Sequence, residues 1–179
     1  MSSKEKWLSS GLDLLGRAGP GGLTIERLVD AAGLSTGSFY YHFAGVPGFK
    51  VALLEYFEEL HTTRYIAEVE ATSGTGRERL EQLMNVVLTS EEGWDVEVAV
   101  RAWALDDVQA RAAKERVDRV RIDYLCELWL ELSGDAVAAD RMAKVLYLLL
   151  LGAGHILPPV PPAELAVLYR TVIDAADPR

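Results

Sequence analysis

The segment from Leu23 to Phe43, LTIERLVDAAGLSTGSFYYHF, predicts two short helices joined by a tight turn. Thr24 can cap the first helix, whose apolar residues recur at helical spacing. Gly33 can adopt a positive φ and end that helix, and Ser35 can cap the second. Two phenylalanines one turn apart then face inward. This is the layout of a helix-turn-helix, in which the second helix enters the major groove of DNA.

The outer face of the second helix is small, polar and aromatic. A glycine at position 37 costs a helix about 1 kcal/mol relative to alanine, and one reason to keep it is close approach to a surface such as DNA. The alternative is an ordinary helical hairpin, because short turn motifs also occur by chance. The residues predicted to face outward are Thr36, Gly37, Ser38, Tyr40, Tyr41 and His42.

The run AGLSTGSFYYHF, residues 32–43, closely resembles the recognition segment of the TetR (tetracycline-repressor) family of bacterial transcriptional regulators. In that family a Gly-apolar-Ser turn leads into a short helix that ends Tyr-x-His-Phe, as Tyr40-Tyr41-His42-Phe43 does here. The resemblance covers about residues 23–54. It implies an all-α fold with a three-helix DNA-binding domain at residues 1–46 and a helical ligand-binding and dimerisation domain at residues 47–179.

The same resemblance implies which side chains meet DNA. Residues at the start and middle of the second helix lie near base edges, whereas Tyr40 and His42 reach phosphates. Thr24 and Ile25 stand where the family's first hairpin helix touches the DNA backbone. The predicted DNA-contact set is Thr24, Ile25, Glu26, Ser35, Thr36, Gly37, Ser38, Tyr40, Tyr41, His42 and Lys50.

Two positions depart from the family pattern. Val46 occupies a place where the family often has a phosphate-binding lysine, and Lys50, one turn later, is the nearest substitute. Each lost cation removes one released counterion, which predicts a shallower salt dependence. Glu26 is acidic where some relatives carry a base-reading arginine. It either weakens binding or accepts a hydrogen bond from cytosine N4, and both readings stay open.

The net charge of −9 is unevenly distributed. Residues 1–50 carry five basic and four acidic side chains, a net charge of +1, whereas the remainder carries 13 basic and 23 acidic, a net charge of −10. The acidity therefore lies away from the predicted DNA face. A net charge of +1 is still a weak electrostatic footprint for a nucleic-acid-binding protein.

Helical periodicity continues through the rest of the chain and predicts about nine helices in all. The charges along the outer face of the predicted seventh helix, such as Lys114 and Asp118, are expected to be solvated. The segment 152–162, rich in glycine and proline, is expected to form a link rather than helix. The predicted helices after residue 43 run from 47 to about 71, 77 to 90, 96 to 104, 107 to 133, 136 to 151 or beyond, and 162 to 175.

The predicted eighth helix is apolar almost all round over residues 145–151, so more than one neighbour must cover it. By resemblance to the family, the last two helices pair with their copies into a four-helix bundle. The alternative is that this run belongs to the core of a monomer. We favour a homodimer, because a two-fold protein matches palindromic half-sites about one DNA turn apart.

Aromatic side chains in the predicted fourth to seventh helices suggest a small-molecule site, since apolar pockets between bundled helices commonly bind ligands. The alternative is that these aromatics are ordinary core residues. Arg101, Asp123 or His155 would supply a polar group. The predicted ligand-binding set is Tyr65, Met84, Trp94, Arg101, Trp103, Tyr124, Trp129 and His155.

The sequence lacks the motifs of enzymes and metal sites. Its three histidines are scattered, and we find no H-E-x-x-H, C-x-x-C, G-x-S-x-G or phosphate-binding loop. We therefore expect no enzyme activity, no metal and no cofactor. A single cysteine, Cys126, and the absence of a secretory pattern favour the cytoplasm, and no apolar run suggests a membrane span.

Taken together, these patterns predict a DNA-binding transcriptional regulator of the cytoplasm. We expect a repressor that a small, largely apolar or aromatic effector releases from a palindromic operator. The alternative is a helical small-molecule-binding or protein-interaction module with little DNA affinity. Val46 and the thin basic charge favour this alternative.

Overall fold

A computed structural model describes residues 1–90 and 94–176, and within these ranges the chain is helical without any strand. The helices are α1 (Ser3–Ala18), α2 (Ile25–Ala32), α3 (Thr36–His42), α4 (Gly45–Glu58), α5 (Arg64–Glu70), α6 (Gly76–Thr89), α7 (Trp94–Asp106), α8 (Val108–Ser133), α9 (Ala136–His155) and α10 (Pro162–Ala176). A π-helical turn, Glu59–Thr63, joins α4 to α5 without a break. If that run is counted as one helix, the described residues form nine helices, and the all-α prediction is confirmed.

The first helix begins with a reciprocal cap. The Ser2 hydroxyl accepts a hydrogen bond from the Glu5 backbone N–H at 3.2 Å, and the Ser2 N–H donates to the Glu5 carboxylate at 2.6 Å. These bonds lower the pKa of Glu5. The buried stripe of α1 consists of Trp7, Leu8, Gly11, Leu12 and Leu15. A Cβ on Gly11 would lie 2.6 Å from Cζ of Phe49, so the close approach of α1 and α4 requires a glycine.

The turn between α2 and α3 is built as the sequence predicts. The Thr24 hydroxyl accepts from the Arg27 N–H, and the Ser35 hydroxyl accepts from the Ser38 N–H at 3.3 Å. Gly33 ends α2 in the left-handed region, with φ of 61°. A side chain is strained in this conformation, so the glycine sets the angle at which α3 leaves α2.

The chain divides into two compact units, which we describe separately. The first unit comprises residues 1–60 and 92–116, and the second comprises residues 61–91 and 117–179. In the first unit, α7 packs along α1, where a Cβ on Gly16 would lie 3.4 Å from Cγ2 of Val96. The helix-turn-helix and α7 therefore share one core.

In the second unit, α6 lies very close to α8 and α10 packs on α9 and α6. A Cβ on Gly76 would lie 2.8 Å from the Leu128 carbonyl oxygen, a contact that leaves no room for a larger residue. The Tyr169 hydroxyl donates to the Leu146 carbonyl oxygen at 3.2 Å, and burial raises the pKa of Tyr169. Small residues and buried tyrosines thus hold these helices together.

Two sequence predictions about the later helices are wrong. The link was expected to begin at Gly152, but α9 continues through Gly152 and Gly154 to His155, because each glycine in a long apolar helix costs only about 1 kcal/mol. Lys114 was expected to be solvated. It is only 3% exposed, and its ammonium pairs with the Glu97 carboxylate at 2.6 Å. Asp118 is half-buried and accepts a hydrogen bond from Tyr147.

No helix among residues 1–90 and 94–176 combines the length and apolarity that crossing a membrane requires.

Candidate nucleic-acid interface

One face of α3 is fully exposed and carries large aromatic side chains. Tyr40 is 58% exposed and Tyr41 is 84% exposed, and Thr36 and Gly37 are exposed beside them. Aromatic rings contribute most to stability when they are buried. Two exposed tyrosines on one helix therefore indicate a surface that binds another molecule. Hydroxyl groups and rings of this kind suit contacts to phosphates and base edges.

Gly37 is not required by the fold. A Cβ on this residue would meet only the Ser35 hydroxyl oxygen, at 3.9 Å. Alanine would fit there and favour the helix by about 1 kcal/mol. By contrast, the glycine at position 11 faces a phenylalanine ring at 2.6 Å. Gly37 therefore costs stability without serving the packing of this chain, as expected for a residue that lets another surface approach.

Two other predicted contacts on α3 point towards α1 instead. Ser38 and His42 are half-buried. The indole N–H of Trp7 donates to the Ser38 hydroxyl at 3.3 Å, and the Ser3 hydroxyl lies 2.7 Å from Nε2 of His42. The sequence places these two side chains among the outward-facing residues because it does not show where α1 packs.

An aromatic cluster beneath α3 fixes the helix in place. The buried Phe39 ring lies 5.4 Å from Trp7, edge to face, and 5.5 Å from Phe49. Phe43 ends α3 and lies 5.0 Å from the Phe49 ring. The Trp7–Phe39 and Phe43–Phe49 pairs are edge to face, and such pairs contribute about 0.5–1.5 kcal/mol each beyond their burial. The exposed tyrosines thus stand on a rigid support.

The predicted contacts outside α3 lie at the helix ends of the same unit. Thr24 is exposed at the N-terminus of α2, Ile25 is half-buried beside it, and Glu26 is exposed in the first turn. Ser35 is exposed and caps α3. The structure therefore brings the caps and the exposed α3 face into one helix-turn-helix.

Lys50 lies inside the first unit's packing rather than free on its surface. Its ammonium is 5.4 Å from the centre of the Trp103 ring, a cation–π arrangement. Asp107 lies nearby, and its pKa is lowered chiefly by the backbone N–H of Ala110, with further contributions from Gln109, Trp103 and Lys50. Lys50, a predicted DNA contact, thus touches Trp103, a predicted ligand contact.

The predicted ligand-binding residues fall in both units. In the first unit, Arg101 pairs with Glu97 at 3.5 Å and Trp103 is buried. In the second, the Tyr124 hydroxyl donates to the Glu70 carboxylate at 2.7 Å, and burial is the main cause of the raised pKa of Tyr124. The first unit holds Trp94, Arg101 and Trp103, and the second holds Tyr65, Met84, Tyr124, Trp129 and His155.

Four members of the second-unit set have evident partners or positions. The Tyr65 hydroxyl donates to the Ser90 hydroxyl at 2.8 Å. Trp129 is buried in the core, and Met84 is half-buried. His155 is exposed at the end of α9, where Nδ1 lies 2.7 Å from the Leu151 carbonyl oxygen. These side chains have structural roles whether or not a ligand binds beside them.

A polar cluster at the π turn has no counterpart in the sequence prediction. Arg121 on α8 donates to the His61 carbonyl oxygen at 3.1 Å and to the Thr62 hydroxyl at 2.9 Å. It also lies 3.5 Å from the Tyr147 hydroxyl. A π turn displaces backbone carbonyls from their usual partners, and here an arginine serves one of them. The sequence shows an ordinary i, i+4 helical pattern at this point and gives no sign of the wider turn.

Within residues 1–90 and 94–176, no three side chains of histidine, cysteine, aspartate or glutamate come together as ligands. Cys126, the single cysteine of the sequence, is half-buried on α8.

An all-α chain whose N-terminal helix-turn-helix presents an exposed, glycine-containing aromatic helix has the architecture of a DNA-binding transcriptional regulator. Residues 8–45 match the family model for bacterial regulatory proteins of the tetR family. This match covers the helix-turn-helix, so residues 8–45 carry the likeness to the TetR family.

Solved structures share the fold over nearly the whole chain. The reduced form of NemR from E. coli is 25% identical, with a TM-score of 0.79, and the match covers 98% of this chain and 100% of that one. Regulatory protein TetR from Rhodobacter sphaeroides is 18% identical, with a TM-score of 0.77 and coverage of 97% and 98%.

A transcriptional regulator from Saccharomonospora viridis, solved in complex with choline, is 20% identical. Its TM-score is 0.79, and the match covers 96% of this chain and 95% of that one. The comparison with curated proteins found no match.

Proposed function

We propose that this chain is a homodimeric repressor that binds a palindromic operator through residues 1–46 and an effector through residues 47–179. The observation that carries the DNA-binding part is the exposed face of α3, where Tyr40 and Tyr41 stand beside a glycine that the fold does not need. As a regulator of bacterial DNA it would act in the cytoplasm. The predicted DNA contacts on α2 and α3 other than Ser38 and His42 retain their proposed roles.

The proposed dimer interface lies on α9 and α10. Apolar side chains remain exposed on both helices, including Leu148 at 65%, Val145, Val167 and Leu168. Burial of each would contribute about 1.5–3 kcal/mol if it were complete. A second copy of the chain, related by a two-fold axis, would cover these side chains on both protomers and match the symmetry of a palindromic site.

The proposed effector is a small, largely apolar or aromatic molecule. Buried aromatic residues in both units support this class, as does the choline complex of the S. viridis regulator, since aromatic faces attract organic cations. We propose that the effector shifts the helical run 45–70, which begins directly after the recognition helix. Operator and effector would then weaken each other's binding by the same factor.

The DNA-binding part is tested with genomic fragments selected by the purified protein and then titrated by fluorescence anisotropy. Tyr40→Ala is expected to lower the affinity about tenfold, or roughly 1.4 kcal/mol, on specific and random DNA alike. Leu105→Ala is the matched control, because Leu105 is 71% exposed in the same unit but lies on α7. If Tyr40→Ala binds as tightly as the parent, the contact assignment is wrong.

The dimer is tested by light scattering during size-exclusion chromatography. Leu148→Glu is expected to give a monomer, because it would bury a carboxylate in the proposed interface. Val108→Glu is the control, since Val108 is 78% exposed at the start of α8 in the other unit. A parent protein that elutes as a monomer contradicts the proposed interface.

The alternative function is a helical ligand-binding or protein-interaction module with little DNA affinity. The net charge of +1 over residues 1–50 and the valine at position 46 favour it. The genomic selection separates the two functions. No enrichment of any fragment over a mock selection would favour the module without DNA affinity.

A further inference from the structure

Two polar side-chain pairs, one helical turn apart, connect α1 and α3. Ser3 and Trp7 lie four residues apart on α1, and Ser38 and His42 lie four residues apart on α3. Trp7 pairs with Ser38 and Ser3 pairs with His42, so the two helices run antiparallel at this contact. Since residues four apart share one helix face, this stripe of α3 faces α1.

We propose that Ser38 and His42 are positioning residues, which fix the orientation of α3 through Trp7 and Ser3 of α1. The DNA-facing stripe then consists of the exposed residues of α3, namely Thr36, Gly37, Tyr40 and Tyr41. The inference rests on the proposed DNA-binding function. It changes the expected role of His42 from a phosphate contact to a support of the recognition helix.

The first pair, Trp7 with Ser38, is a hydrogen bond at the edge of the core. Trp7 is 0% exposed, so its indole N–H has to find an acceptor inside the protein. The Ser38 hydroxyl accepts it at 3.3 Å. The Ser35 hydroxyl caps the Ser38 N–H in turn, so the backbone that carries the acceptor is itself held. Loss of the Ser38 hydroxyl would leave a buried donor without its partner.

The second pair, Ser3 with His42, depends on the first turn of α1. Ser3 lies between Ser2 and Glu5, whose reciprocal bonds close that turn. The Ser3 hydroxyl meets Nε2 of His42 at 2.7 Å, as donor or acceptor according to the ring tautomer. The capping box therefore fixes the turn that carries a partner of the recognition helix.

Directional bonds are needed here because α3 is short. It spans seven residues, Thr36–His42, and its buried anchors are Phe39 and the Phe43 that follows. Burial of apolar rings is non-directional, so it holds the helix down without fixing its rotation. Hydrogen bonds weaken steeply when misaligned, and two of them one turn apart fix both the rotation and the axial position of α3.

The Ser3–His42 pair is tested by a double-mutant cycle on operator affinity. Ser3→Ala is expected to lower the affinity about fivefold, the loss expected from one hydrogen bond. In a His42→Ala background the same change should have no further effect, because its partner is already gone. Ser9→Ala, a half-buried serine on the same helix, is the control. Losses that multiply, or a Ser3→Ala protein that binds like the parent, overturn the assignment.

The Trp7–Ser38 pair is tested by NMR of the Trp7 indole N–H together with DNA titration. Ser38→Ala should shift this resonance, speed its hydrogen exchange and weaken operator binding more than random-DNA binding, and Ser38→Thr should restore all three. A shifted resonance with unchanged operator affinity overturns the positioning role. A thermal melt of each variant confirms that it folds.

The two proposals fail in different ways. A parent protein that binds no DNA contradicts the proposed function and this inference together. A parent that binds DNA, with Ser3→Ala and Ser38→Ala equal to it, contradicts this inference alone.

Discussion

The ammonium of Lys50 lies 5.4 Å from the centre of the Trp103 ring. Lys50 is half-buried in the second turn of α4, and Trp103 is buried near the end of α7. The cation that best replaces the missing basic residue at position 46 is therefore held by an aromatic side chain of its own unit. A phosphate would have to compete with that ring.

We expect Lys50→Met to lower the free energy of unfolding by about 0.5–2 kcal/mol, because it removes a partly desolvated cation–π contact. Lys50→Arg keeps the positive charge over the ring and should retain most of this stability. Urea denaturation followed by tryptophan fluorescence measures both variants. A Lys50→Met protein as stable as the parent would show that the contact contributes nothing.

We expect Gly37→Ala to stabilise the protein and weaken its binding to DNA. The added methyl group makes only an ordinary van der Waals contact with Ser35 and removes the helix penalty of glycine, so the free energy of unfolding should rise by about 1 kcal/mol. The same methyl group would stand between α3 and the groove. Denaturation and anisotropy titrations of one preparation test both parts, and a stabilised variant with unchanged affinity would disprove the close-approach role.

Val46→Lys should strengthen binding to random DNA. Val46 lies in the first turn of α4, at the place where the family often has a phosphate-binding lysine. One additional phosphate contact should steepen the slope of log K against log salt by about 0.9. Val108→Lys adds the same charge to an exposed position at the start of α8 and serves as the control. An unchanged slope at position 46 counts against a phosphate contact there.

Asp107 should make the stability of the first unit dependent on pH. Its carboxylate accepts the N–H groups of Gln109 and Ala110, each at 2.9 Å, and thereby caps α8. Asp107→Ala is expected to cost about 1 kcal/mol at neutral pH, the usual value for a lost cap. Unfolding in denaturant measures it, with Asp106→Ala as the control for an exposed neighbouring carboxylate.

The sign of the pH effect follows from the lowered pKa of Asp107. The folded state favours the ionised carboxylate, so its contribution is complete above the unfolded value of about 3.9 and is lost as the pH falls through the lower folded value. The difference between parent and Asp107→Ala should therefore shrink below pH of about 4. A difference that stays constant down to the acid transition would contradict the charged cap.

Local signals in the sequence predicted most of the fold. The caps at Thr24 and Ser35 and the left-handed Gly33 depend on neighbours within four residues, and the structure confirms them. The end of α9 was misjudged, because tertiary packing tolerates a glycine that local propensity disfavours. The burial of Lys114 was also missed, since its partner Glu97 lies on another helix.

The candidate site was predictable to the same local extent. The exposed Tyr40 and Tyr41 follow from helical spacing around Phe39. The inward direction of Ser38 and His42 depends on contacts with residues more than thirty positions away, at separations of 31 and 39. No pattern within α3 distinguishes a hydroxyl that faces DNA from one that faces a distant indole.

The closed first turn of α1 couples the start of that helix to α3. Ser2 donates its N–H to Glu5, and the neighbouring Ser3 hydroxyl meets His42 on α3. A substitution at Ser2 that opens this turn would therefore be transmitted to α3 through Ser3.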